Sequence, residues 1–288
     1  MRIVVTGAGG QLGRELVEVV RRAGHEPIAA DRALCDISRP GAAARLLSES
    51  GPAAVVVNCA AWTNVDGAEG APDDAYRANA LGARLLAAAC AAAGVRLCHV
   101  STDFVFDGET EAPLDEWAPV RPLSVYGASK LAGELEVRAI CPDHQIVRTA
   151  WVFGQDGPNF VLTVLRLAAR RSELRVVADQ HGSPTWTGHL APALLRLVEM
   201  GVPGTFHLTG GGGTSRHRLA EAVVEEAGLT VPVIPVGTDE FPLPARRPRH
   251  AVLDNRAWRL LGEPALPGWR EGVRGYLASR RASTPAAR

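Results

Sequence analysis

Lysine is almost absent from this sequence. Of 31 basic residues, 30 are arginine, and the one lysine is Lys130. Net charge is absent as well, because 31 acidic residues balance the 31 basic ones. That balance withdraws support from a general nucleic-acid or membrane-surface role. No apolar run reaches the roughly 18 residues that a membrane helix needs. The most apolar stretch, Leu85 to Val95, is Ala-rich and too short. The cysteines at 35, 59, 90, 98 and 141 form no C-x-x-C pair and no metal-ligand cluster. No metal site is therefore expected, and the thiols should be reduced and mostly buried. Met1 runs directly into Arg2-Ile3-Val4-Val5, which reads as a strand and not as a signal peptide, so the cytoplasm is the expected compartment. What is present is ordinary for a globular chain: 47% hydrophobic and 22% charged residues over 288 positions. That length holds one large α/β domain, or a domain plus a small lobe.

The first half alternates β-branched runs with helical patterns. Arg2–Thr6, His25–Ala30, Ala53–Asn58, Arg96–Ser101 and His144–Ala150 read as strands. Between them, Gln11–Ala23, Pro40–Ser50, Asp73–Ala93 and Ser124–Ile140 read as helices. This alternation predicts an α/β fold with a doubly wound parallel sheet over residues 1–150, allowing for later returns of the chain. After Trp151 the rhythm loosens. Helices near 158–171, 188–200 and 215–227 alternate with short strands at 174–178, 204–208 and 232–236. Residues 151–278 are read as a smaller C-terminal α/β lobe that holds substrate. The tail over 279–288 is expected to be disordered.

Thr6-Gly7-Ala8-Gly9-Gly10-Gln11-Leu12-Gly13 joins the first strand to the first helix. Gly7 permits a tight turn, Gly10 lets backbone approach a pyrophosphate, and Gly13 lets helix and strand pack closely. The helix N-terminus, at Gln11 and Leu12, offers free N–H groups to the phosphates. The pattern sits in its required strand-to-helix context and makes the first domain a Rossmann-type dinucleotide site. Asp31, ending the second strand, suits the ribose hydroxyls of NAD. Arg32 beside it suits the 2′-phosphate of NADP, so the sequence points both ways. Asp36 and Ile37 are candidates to touch the adenine, or form a solvated turn. Asn58, Ala60 and Ala61 end the third strand, where small residues suit close passage of a cofactor.

Tyr126 and Lys130 lie one helical turn apart on one face. A nearby ammonium favours the phenolate and lowers the phenol's ordinary pKa of about 10. The phenol then serves as general acid toward a carbonyl oxygen. Two of the 31 basic positions, 130 and 280, follow a tyrosine by four residues, and the sole lysine occupies the first. Arginine would substitute poorly for a compact ammonium. Ser101-Thr102-Asp103 follows the fourth strand, at the carboxyl edge where doubly wound sheets bind ligands. A hydroxyl there can hold a substrate carbonyl against Tyr126.

Together these residues resemble the extended short-chain dehydrogenases/reductases. Longer segments resemble the dTDP-4-dehydrorhamnose reductases within them. They are Gly10 to Leu16, Asn64-Val65-Asp66 with Ala68-Glu69, Ser101 to Gly108, Tyr126 to Glu134, Arg148 to Gly154, Asn159-Phe160, Asp179 to Thr185, and Pro244 to Pro248. The resemblance implies reduction, by NADPH or NADH, of the C4 ketone of a dTDP-linked 6-deoxy-4-ketohexose. It implies Thr102, Tyr126 and Lys130 as catalytic residues. It implies Asp103, Phe104 and Trp151 at the sugar and Arg247 at the diphosphate.

The chain departs from the family pattern at several points. Phe104 stands where a Tyr is usual, Trp62 where Tyr or His is commoner, and Arg216-His217 where Ser/Thr-Trp is usual. Ala251 replaces a Ser. Thr187-Gly188 lacks the acid that some members use for a metal between subunits, although Glu15 is kept; a monomer or weak homodimer is expected. Two other readings stand beside the first. One is a 4-ketoreductase for another deoxysugar of secondary metabolism. The other is a non-catalytic, NADP-binding regulatory subunit. A 4,6-dehydratase would follow its threonine with Asp-Glu, whereas this chain has Asp103-Phe104.

Overall fold

The computed structural model describes residues 1–283. The chain opens with β1 (Arg2–Thr6), α1 (Gln11–Arg22), β2 (Glu26–Ala30), α2 (Ala42–Glu49) and β3 (Val55–Asn58). It continues with α3 (Val65–Gly70), α4 (Pro72–Tyr76), a π turn (Arg77–Leu81) and α5 (Gly82–Ala93). Then come β4 (Arg96–Thr102), α6 (Val125–Ile140) and β5 (His144–Thr149). These strands pair in parallel in the order β5-β4-β3-β1-β2. Val55, Val56 and Val57 are almost fully buried, as continuous β-branched runs are when helices cover both faces of a sheet. The order reverses between β1 and β3, which opens a crevice at their carboxyl ends.

The second half holds β6 (Val152–Phe153), α7 (Phe160–Ala168), β7 (Leu174–Val177), β8 (His181–Gly182), β9 (Thr185–Trp186) and α8 (Thr187–Met200). It ends with β10 (Gly204–His207), β11 (Thr214–Ser215), α9 (Arg216–Glu226), β12 (Val233–Val236), β13 (His250–Ala251), α10 (Arg256–Leu260) and α11 (Trp269–Ser283). Phe153, Val161, Val164, Leu219, Val223, Val273 and Tyr276 form a separate core for this lobe.

Three expectations are corrected here. The strand expected in the lobe at 204–208 is β10, and it pairs in parallel with β5 as the sixth strand of the main sheet. The helix before it, α8, buries Leu190, Leu194 and Leu197 in the same core as Leu12, Leu16 and Val20 of α1. The boundary at residue 150 is thus crossed again. Without this return, β5 would be a bare edge and the apolar face of α1 would meet water. The single helix expected over 73–93 is interrupted by the π turn at Arg77–Leu81. The tail expected to be disordered from Ser279 is helical through Ser283, and residues 284–288 lie outside those described.

Candidate active site

A cavity of about 990 Å³ runs along the carboxyl edge of the sheet, between the sheet and the lobe. The glycine loop forms one end. Gly7 has φ +69, and a Cβ there would strike the backbone at Cys59–Ala60. A Cβ on Gly13 would collide with the carbonyl oxygen of Gly7. Helix α1 begins at Gly10 with no side chain capping its N–H groups, so they are free for an anion. Gln11 is more than a cofactor candidate. Its Oε1 accepts from the Gly154 amide at 3.0 Å and from Asn159 at 3.2 Å, and its Nε2 donates to Pro158 O at 3.1 Å. The side chain ties the loop to the lobe and leaves its backbone at the cavity wall. Leu12, Asp31, Arg32, Asp36, Ile37, Ala60 and Ala61 also line this end.

Asp31 accepts from the Leu34 amide at 2.9 Å, and the exposed Arg32 leans to Asp36 at 3.6 Å. The Ser38 hydroxyl, with help from Arg32 and Arg39, holds the Asp36 carboxyl below its ordinary range. Asn58 corrects an expectation, because it is buried behind the cavity and does not line it. Its Oδ1 accepts from Thr6 at 2.7 Å and from the Ala60 amide at 3.1 Å, and its Nδ2 meets His99 at 2.9 Å. An amide with every group paired across β1, β3 and β4 fixes the strand ends.

At the middle of the cavity Thr102, Tyr126 and Lys130 come together. Ser124 caps α6 by accepting from the Gly127 amide at 3.1 Å, which starts the helix just before Tyr126. A Cβ on Gly127 would collide with Phe104 O, so the helix lies directly on the turn after β4. Lys130 is 2% exposed, and its Nζ donates to Val100 O at 2.7 Å. Burial lowers its pKa to about 8, against the raising pull of Glu134 and Cys59. The Tyr126 phenol does not follow the simple expectation for a neighbour of lysine. Burial raises it to about 12, the Thr102 hydroxyl pulls it back, and Asp103 pushes it up further. The phenol is therefore held as a protonated acid, and the Lys130 ammonium, one helical turn on, is only weakly held in its charged form.

Two supports escaped the sequence reading. Asn79, in the π turn, accepts from the Trp62 amide at 2.8 Å and donates to Trp62 O at 3.2 Å and Ser129 Oγ at 2.9 Å. It staples the loop after β3 to the helix that carries Tyr126 and Lys130. Its signal was a polar residue inside an Ala/Leu-rich helical run, where nothing polar should be buried. Glu134, fully buried one turn after Lys130, accepts from Ser101 at 2.6 Å and from Arg148 at 2.9 and 2.8 Å. These donors hold its carboxyl below the usual range in spite of burial.

The lobe side holds the other candidates. Burial raises Asp103 to about 6, while Thr102 and then Arg216 draw it down. Its Oδ1 accepts from Thr102 at 3.0 Å. Asp103 Oδ2 and Thr149 Oγ1 are buried without a hydrogen-bond partner among the described residues, and both residues line the cavity. The Phe104 ring meets Tyr126 edge-on, with centroids 5.4 Å apart. Trp151 is the only non-glycine residue with positive φ among those described, at +46. Arg247 lines the cavity but is already engaged, donating to Asp66 at 3.0 and 2.6 Å and to Ala245 O at 2.7 Å. That fork holds Asp66 below the usual carboxylate range.

The RmlD substrate binding domain profile matches residues 1–282. The chain belongs to this family. It is 45% identical to a dTDP-4-dehydrorhamnose reductase of Mycobacterium tuberculosis, over 98% of this chain and 94% of that protein. A crystal structure of such a reductase from Clostridium acetobutylicum superposes with a TM-score of 0.95 at 41% identity, covering 98% of this chain and 100% of that one. The Bacillus anthracis reductase, solved in complex with NADP, gives a TM-score of 0.94 at 37% identity, with 96% and 99% covered. Both of these solved reductases thus share this chain's architecture over nearly its whole length. The geometry fits a dinucleotide independently of these likenesses. An uncapped helix start and a glycine loop packed too closely against its neighbours to carry side chains at Gly7 and Gly13 lie at one end of the cavity, as a pyrophosphate requires.

Proposed function

We propose that this protein uses NADPH or NADH to reduce the C4 ketone of a dTDP-linked 6-deoxy-4-ketohexose, converting dTDP-4-dehydro-L-rhamnose to dTDP-L-rhamnose. The observation that carries the reading is the meeting of Thr102, Tyr126 and Lys130 in one cavity that ends at the glycine loop. The backbone at Gly7, Gly10, Gln11 and Leu12 would hold the pyrophosphate, and Asp31 and Arg32 the adenosine ribose, with Asp36, Ile37, Ala60 and Ala61 along the adenosine side. When bound, the cofactor supplies hydride to the ketone carbon.

This chain's residues do the rest. Tyr126, protonated at neutral pH, gives its proton to the oxygen that becomes the alcohol. Thr102 holds that oxygen beside the phenol. Lys130 stabilises the phenolate left behind, and its charge counts for more because the ammonium is buried. Asp103 and Phe104 face the sugar, and Trp151, which the resemblance also puts there, lies behind the Arg216 guanidinium. No helix among the described residues is long and apolar enough to cross a membrane, which supports a cytoplasmic enzyme. The missing acid at Thr187-Gly188 supports a monomer or weak homodimer.

The test is NADPH consumption with a dTDP-4-keto-6-deoxyhexose. Tyr126→Phe should keep cofactor affinity and lose at least about two decades in turnover, the usual size of a lost general acid. Full turnover in that variant would contradict the mechanism. Cofactor binding without any turnover in the native chain would mean a binding subunit instead of an enzyme.

A further inference from the structure

Arg216 is the first residue of α9, set by Ser215, whose Oγ accepts from the Arg218 amide at 3.1 Å, and by its own amide donating to Gln180 O at 3.1 Å. Its side chain runs into the cavity and lies over Trp151, with the guanidinium carbon 3.6 Å from the ring centroid. On Trp151 the atom that a Cβ at Gly182 would strike first is the ring-fusion carbon Cε2. Contact at a fusion carbon comes through a ring face, not an edge. The indole is therefore sandwiched between the Gly182 backbone and the Arg216 guanidinium. No ring can stack on this tryptophan, and what the shelf presents to the cavity is the guanidinium.

That guanidinium has donors to spare. Among the described residues it makes no hydrogen bond and no ion pair. Asp103 stabilises its charge from nearby, yet the two form no ion pair, and the Asp103 Oδ1 is taken by Thr102. Arg247 is close enough to destabilise it as a like charge. Two guanidiniums thus share one cavity, and they differ. Arg247 has spent its fork on Asp66, while Arg216 keeps five N–H donors unused. Burial lowers Arg216 to about 10, so it remains charged at neutral pH. A desolvated, unpaired cation shelved on an aromatic face next to a second cation is built to receive an anion.

We infer that Arg216, shelved on Trp151, binds the diphosphate of the nucleotide sugar and is the principal cation there, with Arg247 a secondary one already neutralised by Asp66. This rests on the reading of the substrate as a dTDP-sugar. It assigns the anion subsite to a residue at which the chain departs from its family's pattern.

The test is calorimetric binding of dTDP, dTDP-glucose, thymidine and NADPH to the native chain, Arg216→Gln and Arg216→Lys. Arg216→Gln should weaken dTDP about tenfold or more, the usual size of a lost charge-assisted pair. It should leave thymidine and NADPH within about twofold, and the retained NADPH affinity shows that the variant is folded. Arg216→Lys should fall between, because it keeps the charge but not the fork. Unchanged dTDP affinity in a folded Arg216→Gln would overturn the inference. A loss confined to dTDP-glucose, with dTDP unaffected, would also overturn it by making Arg216 a sugar contact. Failure of the native chain to bind dTDP at all would instead overturn the dTDP-sugar reading on which it rests.

Discussion

Lys130 shows how far residue type alone carries chemistry. It is the only lysine in the chain, it is buried, and its Nζ rests on Val100 O. Its pKa is lowered to about 8 because burial outweighs the pull of Glu134 and Cys59. A lowered folded value means that the ammonium is lost as pH rises through about 8, while Tyr126, raised to about 12, stays protonated. The rate constant kcat/KM for ketone reduction reports the free enzyme, so it should fall above pH about 8. Lys130→Arg should be slower but should lack that alkaline limb, because arginine keeps its charge throughout. A limb that persists unchanged in the variant would assign the titration to another group. The pairing of Tyr126 with Lys130 was legible from spacing, but the direction of the tyrosine's shift was not. Spacing reports a neighbour's charge, whereas the outcome depends on burial, which arises only when α3, α4 and the turn after β4 pack against the helix. Asn58 failed for a related reason. A strand-end asparagine looks open to a ligand until Thr6 and His99 arrive from two other strands and the chain turns to bring in the Ala60 amide.

At the scale of elements, the site depends on how closely α6 lies against the π turn. A Cβ at Gly133 would collide with Asn79 O and press on Ala83. Gly133→Ala should therefore destabilise the fold by about 1–3 kcal/mol, as overpacking does. Thermal unfolding should show a midpoint several degrees lower, by about 2–4 °C for each kcal/mol in a chain of this class. An unchanged midpoint would mean that the helices separate freely and that Asn79 does not fix the site. The strands and helices of the first half were legible because buried parallel strands are continuous β-branched runs and helices carry a 3.6-residue period. The π turn was not, because inserting one residue per turn barely disturbs an Ala/Leu pattern. The only trace was the buried polar Asn79.

At the scale of the molecule, the cavity is made by two bodies that the chain visits in turn. The lobe leaves the sheet after Thr149, returns with α8 and β10, and leaves again. A return was allowed for, but which strand makes it was hidden, because a short strand such as Gly204–His207 carries no label saying which sheet it joins; the exposed edge of β5 decides it. Gln11 then bridges the glycine loop to Gly154, Pro158 and Asn159, so one side chain ties the loop end of the cavity to the lobe. On the proposed function, this cavity brings a nicotinamide and a 4-keto sugar together, with Tyr126 as proton donor. The most direct test is label transfer. The chain is incubated with dTDP-4-keto-6-deoxyhexose and NADPH deuterated at nicotinamide C4, each face in a separate reaction, and the product is read by NMR and mass spectrometry. The account predicts one deuterium at C4 of the sugar from one face only, and a much slower appearance in Tyr126→Phe. Deuterium at any other sugar carbon, or no transfer from either face, would contradict it.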